Sequence, residues 1–142
     1  MSTTPLYTAE ALATGGGRNG HVTTPSGRVD FDMAVPESMG GSGNGSNPEE
    51  LFAAGYATCF HSALQSVARA RKIDLGDSSV GARVHILPND EGGFVLAVDL
   101  EVVIPELDAT LAQELADGAH KICPYSNATR GNITVNVLVT DD

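Results

Sequence analysis

Hydrophobic and polar residues alternate in the first part of the chain, and this pattern predicts three short strands. The alternation covers residues 6–14, 21–24 and 28–35. Three glycines directly before Arg18 separate the first two strands, and the turn residues Pro25-Ser26-Gly27 separate the second from the third. The chain therefore opens with a predicted three-stranded meander.

The most apolar segment predicts a buried helix that begins after Asn47. Asn47 is a good N-cap, Pro48 suits the first helical position, and Glu50 stands three residues after the cap, as in a capping box. The helical pattern continues to about Arg71. Between residues 51 and 67 it is apolar around most of its circumference, so we expect this helix to be buried against a sheet and against a partner.

The rest of the chain predicts two strands, a second helix and a last strand, at residues 80–87, 94–104, 107–122 and 133–139. Asp108 is the expected cap of the second helix, and Pro124 should end or kink it at the preceding residue. The order βββ-α-ββ-α-β predicts an α+β fold with antiparallel sheets around a buried central helix, rather than βαβ repeats. A length of 142 residues predicts a single domain, residues 1–142.

Composition and charge exclude several classes of function. The chain has 8 basic and 18 acidic residues and a formal net charge of −10, which argues against binding to nucleic acid or to anionic membranes. It shows no targeting signal or membrane-spanning segment, so we expect a cytoplasmic protein. In a reducing compartment its two cysteines are either inert or redox-active rather than a stable structural disulfide.

Four residues are candidates for chemistry, and each also has a structural explanation. Cys59 lies within the predicted buried helix, where cysteine often serves as a small hydrophobic residue, and Cys123 lies at a helix break, where it can simply pack. Arg18 follows the glycines, which suits either an inward-aimed cation or a solvent-facing residue in a hairpin bulge. Glu49 is in the first helical turn, where a carboxylate also complements the helix dipole.

The histidines give little sign of a metal site. His120 and Cys123 are three positions apart and can share a helix face. Two ligands without a CxxC or HxxxH pattern fall short of zinc spacing, so the sequence predicts no metal.

Three segments of the chain together resemble the organic hydroperoxide resistance proteins, the Ohr branch of the Ohr/OsmC family. These segments are GGRNG at 16–20, NPEELFAAGYATCF at 47–60 and CPYSNATRGN at 123–132. The last two are long and specific, and the resemblance, which includes the element order, spans nearly the whole chain.

The resemblance implies a thiol peroxidase that reduces alkyl or lipid hydroperoxides. It implies that Cys59 is the peroxidatic cysteine, that Cys123 is the resolving cysteine, and that Arg18 and Glu49 polarise the site. It also implies that dihydrolipoamide or a lipoyl-bearing protein is the electron donor and that no bound cofactor or metal is needed. The apolar candidates for contact with the organic group of the substrate are Met33, Leu51, Phe52, Tyr56 and Phe60.

The spacing of Glu49 and Cys59 suggests how such a site is assembled. Ten residues of helix separate them by roughly 15 Å, which is too long for one compact site. If two copies of the helix cross antiparallel at the small residues 53–55, Glu49 of one chain meets Cys59 of the other. We therefore hypothesise an intertwined homodimer; the opposing possibility is a helix kinked at Gly55, with all four residues from one chain.

Two other functions fit the same residues. A redox-sensing or binding module would use a Cys59–Cys123 disulfide as a switch without efficient turnover. A structural dimer would hold the same two cysteines as buried, inert thiols.

Overall fold

The structure is a computed structural model that describes residues 3–141, so Met1, Ser2 and Asp142 of the predicted domain lie outside the described residues. The chain divides into two compact units, and the boundary falls between Pro48 and Glu49. The first unit holds one small sheet, and the second holds another sheet and the α-helices.

The predicted meander forms an antiparallel sheet in the order β1-β2-β3, with bounds Leu12–Thr14, His21–Thr23 and Asp30–Asp32. The prediction of a strand over 6–14 is wrong for residues 6–11, which are exposed and outside β1. The reason is that Leu12 pairs with Thr23, the last residue of β2. Residues before Leu12 extend past the end of β2 and have no strand opposite them within this sheet.

The turn that carries Arg18 has a backbone that requires glycine. Gly17–Asn19 form a short 3-10 helix in which Gly17 has a φ of 65°. At Gly20, a Cβ atom would lie 2.1 Å from the carbonyl oxygen of Thr14, so no other residue fits there. Arg18 is half-buried in this turn.

The second unit begins with the long helix that the sequence predicted. Its helices are α1 (Pro48–Ala70), α2 (Ala109–Ile122) and α3 (Pro124–Thr129), and its strands are β4 (Ser79–Pro88), β5 (Phe94–Val103) and β6 (Val135–Thr140). α1 is continuous, without a break at Gly55. The predicted cap of α2 is confirmed, because the Asp108 carboxylate accepts a hydrogen bond from the Leu111 N–H at 2.8 Å.

One core joins the helices to the sheet of the second unit. Tyr56, Phe60 and Leu64 of α1 are fully buried, as are Leu100 of β5 and Leu115 of α2. The alternation predicted for β5 is confirmed at its centre and wrong at its start, where Phe94 is 67% exposed. Phe94 pairs with Pro88 at the far end of the β4–β5 hairpin, beyond the part of β5 that the core covers.

The sheet of the second unit is not wholly antiparallel, which corrects the prediction for one strand pair. β4 and β5 pair antiparallel as a hairpin, whereas β5 and β6 pair in parallel. Parallel strands need a crossover connection of a dozen or more residues, and α2 with α3 supplies it between Val103 and Val135. The apolar alternation of β6 predicted a strand correctly but carried no information about its direction.

Pro124 both ends α2 and begins α3. α2 stops at Ile122, as Pro124 predicted, and Cys123 adopts extended backbone geometry between the two helices. Pro124 then occupies the first turn of α3, a helix that the hydrophobic pattern did not predict. Within residues 3–141, no helix is both long enough and apolar enough to cross a membrane.

Candidate active site

The second unit brings its two cysteines into contact. Cys59 lies in the middle of α1 and is half-buried, while Cys123 lies between α2 and α3 and is fully buried. Both are free thiols, and their Sγ atoms are 3.5 Å apart, within hydrogen-bond distance for sulfur. A disulfide has an S–S length of about 2.05 Å. Closing the pair therefore requires an approach of roughly 1.5 Å, which is within the reach of small side-chain rotations.

The surroundings of Cys59 within the second unit oppose its ionisation. Burial raises the pKa of the Cys59 thiol above its ordinary value, and the adjacent Cys123 thiol raises this pKa further. The backbone N–H of Tyr125 acts in the other direction, because it donates a hydrogen bond to the Cys59 sulfur and so lowers its pKa. The net direction is upward, so these surroundings disfavour the thiolate form of Cys59.

Aromatic rings hold the start of α3 against α1. The Tyr125 ring centroid lies 5.8 Å from that of Phe52 and 5.5 Å from that of Tyr56. Gly55 makes this approach possible, because a Cβ atom there would lie 2.6 Å from the Tyr125 hydroxyl oxygen. The absence of a side chain at Gly55 is thus explained by a contact within one chain, while the neighbouring Ala54 is exposed.

Beneath these rings lies what we call the buried hydroxyl cluster: Tyr56, Ser126 and Thr129. The Tyr56 hydroxyl is 2.9 Å from Ser126 Oγ and 3.2 Å from Thr129 Oγ1. Ser126 Oγ also lies 2.7 Å from Nδ1 of His120, and the Thr129 hydroxyl donates to the Ser126 carbonyl oxygen. Burial, assisted by Arg130, lowers the pKa of His120, which keeps its imidazole neutral near pH 7.

An apolar cleft of 720 Å³ opens beside α3. Pro124 and Tyr125, which directly follow Cys123, form part of its wall together with Phe52 of α1. The remaining lining residues come from the start of β5 and the segment after Tyr125: Phe94, Val95, Leu96, Ala128, Thr129, Asn132 and Ile133. A cleft of this size and character suits an organic group.

The structure places the nine predicted site residues in several different environments. Cys59 and Cys123 come together, and Phe52 lines the cleft. Tyr56 and Phe60 are fully buried in the core, and Leu51 is half-buried in α1.

The other three predicted residues lie further from the thiols along the chain. Glu49 is half-buried in the first turn of α1, and the unbroken helix puts roughly 15 Å of axial rise between it and Cys59. Arg18 and Met33 belong to the first unit, where both are half-buried and Met33 forms a bridge with Ser46.

Sequence reasoning missed the surroundings of the two thiols. Ser126 and Thr129 are three positions apart on α3 and meet Tyr56 some 70 positions earlier in the chain, a pairing that no local pattern announces. The spacing of His120 and Cys123 suggests only a shared metal, whereas in the structure Nδ1 of His120 lies within hydrogen-bond distance of Ser126 Oγ. Residues 3–141 contain no group of three or more side chains arranged to hold a metal ion.

One family profile and several known proteins match this chain over most of its length. The sequence profile of the family described as "OsmC-like protein" matches residues 41–138. The organic hydroperoxide resistance protein OhrB of Bacillus subtilis is 45% identical over 93% of this chain and 96% of its own length. The organic hydroperoxide resistance protein of Xanthomonas axonopodis pv. citri is 46% identical over 94% of each chain.

A solved structure agrees with these sequences. The crystal structure of an organic hydroperoxide resistance protein from Legionella pneumophila superposes with a TM-score of 0.92 at 47% identity, over 96% of this chain and 99% of that one. Matches of this identity and coverage extend over both units of the fold. The chain therefore belongs to the OsmC-like family, in its organic hydroperoxide resistance branch.

Proposed function

We propose that this protein is a thiol-dependent peroxidase that reduces organic hydroperoxides to alcohols. The observation that carries the proposal is the 3.5 Å separation of two free thiols, one half-buried and one fully buried. A half-buried sulfur is accessible to a substrate, while a buried sulfur beside it is placed to attack the oxidised product. The names of the relatives, which refer to organic hydroperoxide resistance, support the same reaction.

The proposed cycle has three balanced steps. The Cys59 thiolate attacks one oxygen of ROOH, the O–O bond breaks, and the leaving alkoxide takes up a proton as ROH while Cys59 becomes a sulfenic acid. The Cys123 thiol then attacks the Cys59 sulfur, which forms the disulfide and releases water. An external dithiol reduces the disulfide, regenerates both thiols and leaves as its own cyclic disulfide.

Arg18 is proposed to supply the positive charge that Cys59 requires. The second unit leaves the Cys59 pKa above its ordinary value, and a guanidinium stays protonated at any working pH, so it can stabilise a thiolate and the departing alkoxide. Glu49 is proposed to orient that guanidinium through a charge-assisted pair. Replacing Arg18 with Ala should move the pH dependence of Cys59 alkylation to higher pH, and an unchanged profile would remove Arg18 from this role.

We further propose an intertwined homodimer in which Glu49 acts on the site of the partner subunit. The helix α1 continues without a break across Gly55, which supports this arrangement, because roughly 15 Å of axial rise then separates Glu49 from Cys59 of its own chain. Mixed dimers of Glu49→Ala and Cys59→Ser chains test it. If Glu49 acts in trans, each mixed dimer contains one site that lacks both residues and one intact site, so activity returns. If Glu49 acts in cis, both sites are defective and mixing restores nothing.

The organic group of the substrate is proposed to bind to apolar residues. Phe52, which lines the cleft, is the best supported of them, and Met33 and Leu51 are half-buried. Tyr56 and Phe60 are fully buried in the chain, so any contact they make with substrate needs the core to open. Alkyl or lipid hydroperoxides are therefore the proposed substrates.

The proposed electron donor is dihydrolipoamide or a lipoyl-bearing protein in the cytoplasm. A dithiol suits the last step, because its first thiol forms a mixed disulfide with the protein, and its second thiol then attacks that mixed disulfide and releases the protein cysteine. This donor separates the proposal from a redox switch, which would be oxidised once by peroxide and turn over slowly with any dithiol.

The decisive experiment compares two serine variants with the unmodified protein in tert-butyl hydroperoxide and dihydrolipoamide. Cys59→Ser should abolish peroxide reduction. Cys123→Ser should consume one equivalent of peroxide per site and then stall or become overoxidised at Cys59. Equal effects of the two variants would contradict the assigned roles, and oxidation of the unmodified protein without turnover would favour the switch.

A further inference from the structure

Two residues at the start of α3, Cys123 at its cap and Tyr125 in its first turn, are hydrogen-bond partners of the Cys59 sulfur. Cys123 directly precedes this helix, and Tyr125, whose backbone N–H donates to Cys59, lies in its first turn. α3 has only six residues, and so short a helix has no stability of its own in water. The position of α3 beside Cys59 must therefore come from contacts with the rest of the unit.

The buried hydroxyl cluster is the polar link between α3 and the helix that carries Cys59. Tyr56 lies three residues before Cys59 on α1, while Ser126 and Thr129 come from the middle and the end of α3. The Tyr56 hydroxyl lies within hydrogen-bond distance of both. A single hydroxyl on α1 thus fixes two points of α3.

We propose that Tyr56 is a positioning residue that, through Ser126 and Thr129, holds α3 where Cys123 faces Cys59. This inference rests on the proposed function, in which the two thiols form a disulfide. It gives Tyr56 a role different from the substrate contact implied by the resemblance. When α3 is held in this position, the effective concentration of the Cys123 thiol at Cys59 is high. The disulfide then forms before a second peroxide molecule oxidises the Cys59 sulfenic acid further.

The structure offers a substitution that breaks this link with little other damage. Tyr56→Phe keeps the ring and its packing against Phe52 and Tyr125. It also leaves neither α3 hydroxyl unpaired, because Ser126 retains His120 and Thr129 retains the Ser126 carbonyl. The change therefore removes the hydrogen bonds between α1 and α3, keeps the aromatic packing between them, and leaves no buried polar group unsatisfied.

Two measurements on Tyr56→Phe report the position of α3 rather than the stability of the fold. The first is the equilibrium between the Cys59–Cys123 disulfide and dithiothreitol, which gives the effective concentration of the thiol pair and needs no peroxide. The second is the fraction of Cys59 found by mass spectrometry as sulfinic acid after a pulse of tert-butyl hydroperoxide. We expect the effective concentration to fall roughly two- to tenfold and the sulfinic fraction to rise.

Val102→Ala is the matched control. Val102 is a fully buried residue of β5, so its truncation lowers the stability of the unit without removing a hydrogen bond of the cluster. It should leave both measurements unchanged. Equal shifts in the two variants would overturn the proposal, because the effect would then follow from stability alone.

The remaining outcomes separate this inference from the proposed function. If the unmodified protein forms the disulfide and turns over while Tyr56→Phe matches it in both measurements, the positioning role is wrong and the peroxidase proposal stands. If the unmodified protein forms no Cys59–Cys123 disulfide, both proposals fail together.

Discussion

Replacing Gly55 with alanine tests whether the approach of α3 to α1 depends on a missing side chain. Gly55 lies inside α1, where glycine is unfavourable by about 1 kcal/mol relative to alanine. On helix propensity alone, Gly55→Ala should stabilise the protein. The new Cβ atom would, however, lie 2.6 Å from the Tyr125 hydroxyl oxygen, 3.1 Å from its Cζ and 3.2 Å from its Cε2.

The size of this clash decides the sign of the effect. Non-bonded heavy atoms have their optimum at about 3.5 Å or more, so the tip of Tyr125 must move away by about 1 Å. This movement would disturb the packing of the ring against Phe52 and Tyr56. Overpacking of this kind costs about 1–3 kcal/mol, which offsets or exceeds the propensity gain and leaves a net loss of about 0–2 kcal/mol.

Urea unfolding of Gly55→Ala beside Gly118→Ala measures the difference. Gly118 also lies in a helix, but its added Cβ would be 3.1 Å from one methyl group of Val67, which needs only a shift of a few tenths of an ångström. We expect Gly118→Ala to be near neutral and Gly55→Ala to be the less stable of the two. If Gly55→Ala is as stable as Gly118→Ala or more so, the contact with Tyr125 does not constrain α3.

Two further predictions follow from single side chains. His120 has a folded-state pKa below its unfolded value, so folding becomes less favourable as the pH falls below about 6.5, where the unfolded chain binds a proton that the folded chain resists. The free energy of unfolding in urea should therefore fall less between pH 7.5 and 5.5 in His120→Gln than in the unmodified protein, and an equal fall would refute this. Asp108→Ala should lower the free energy of unfolding by about 1 kcal/mol through loss of the α2 cap, whereas Asp108→Asn, which keeps an acceptor for the Leu111 N–H, should lose less. Equal losses in these two variants would show that the cap hydrogen bond is not what stabilises α2.

Local chemistry explains what the sequence predicted well. The start of α1 follows from Asn47 and Pro48, and the end of α2 from the restriction that Pro124 places on the residue before it. The cap of α2 follows from the short side chain of Asp108. Each of these features depends on residues within one helical turn, so one sequence suffices to find them.

The errors concern strand pairing and elements without a periodic pattern. Residues 6–11 alternate as a strand does, but β2 ends opposite Leu12 and offers them no partner. The parallel pairing of β6 depends on where the α2–α3 crossover returns the chain. α3 has only six residues, too few to show a helical period.

The candidate site also depends on residues that are far apart in the sequence, and a local pattern therefore could not predict its geometry. Cys59 and Cys123 are 64 positions apart, and neither is distinguished from a core cysteine by its neighbours. Their resemblance to a known family predicted them as a pair, and their contact is a result of tertiary packing. The hydroxyl groups that join α3 to α1 left no signal that the sequence alone could interpret.

Contact between two thiols and ionisation of one of them are separate physical requirements. Burial brings the sulfur atoms of Cys59 and Cys123 together, yet the same burial raises the pKa of Cys59 and makes it a poorer nucleophile. The one favourable contribution within the second unit is the Tyr125 N–H, and it does not reverse the shift. A guanidinium stays protonated and so opposes such a rise in pKa when it lies beside the sulfur, and this is the role proposed for Arg18.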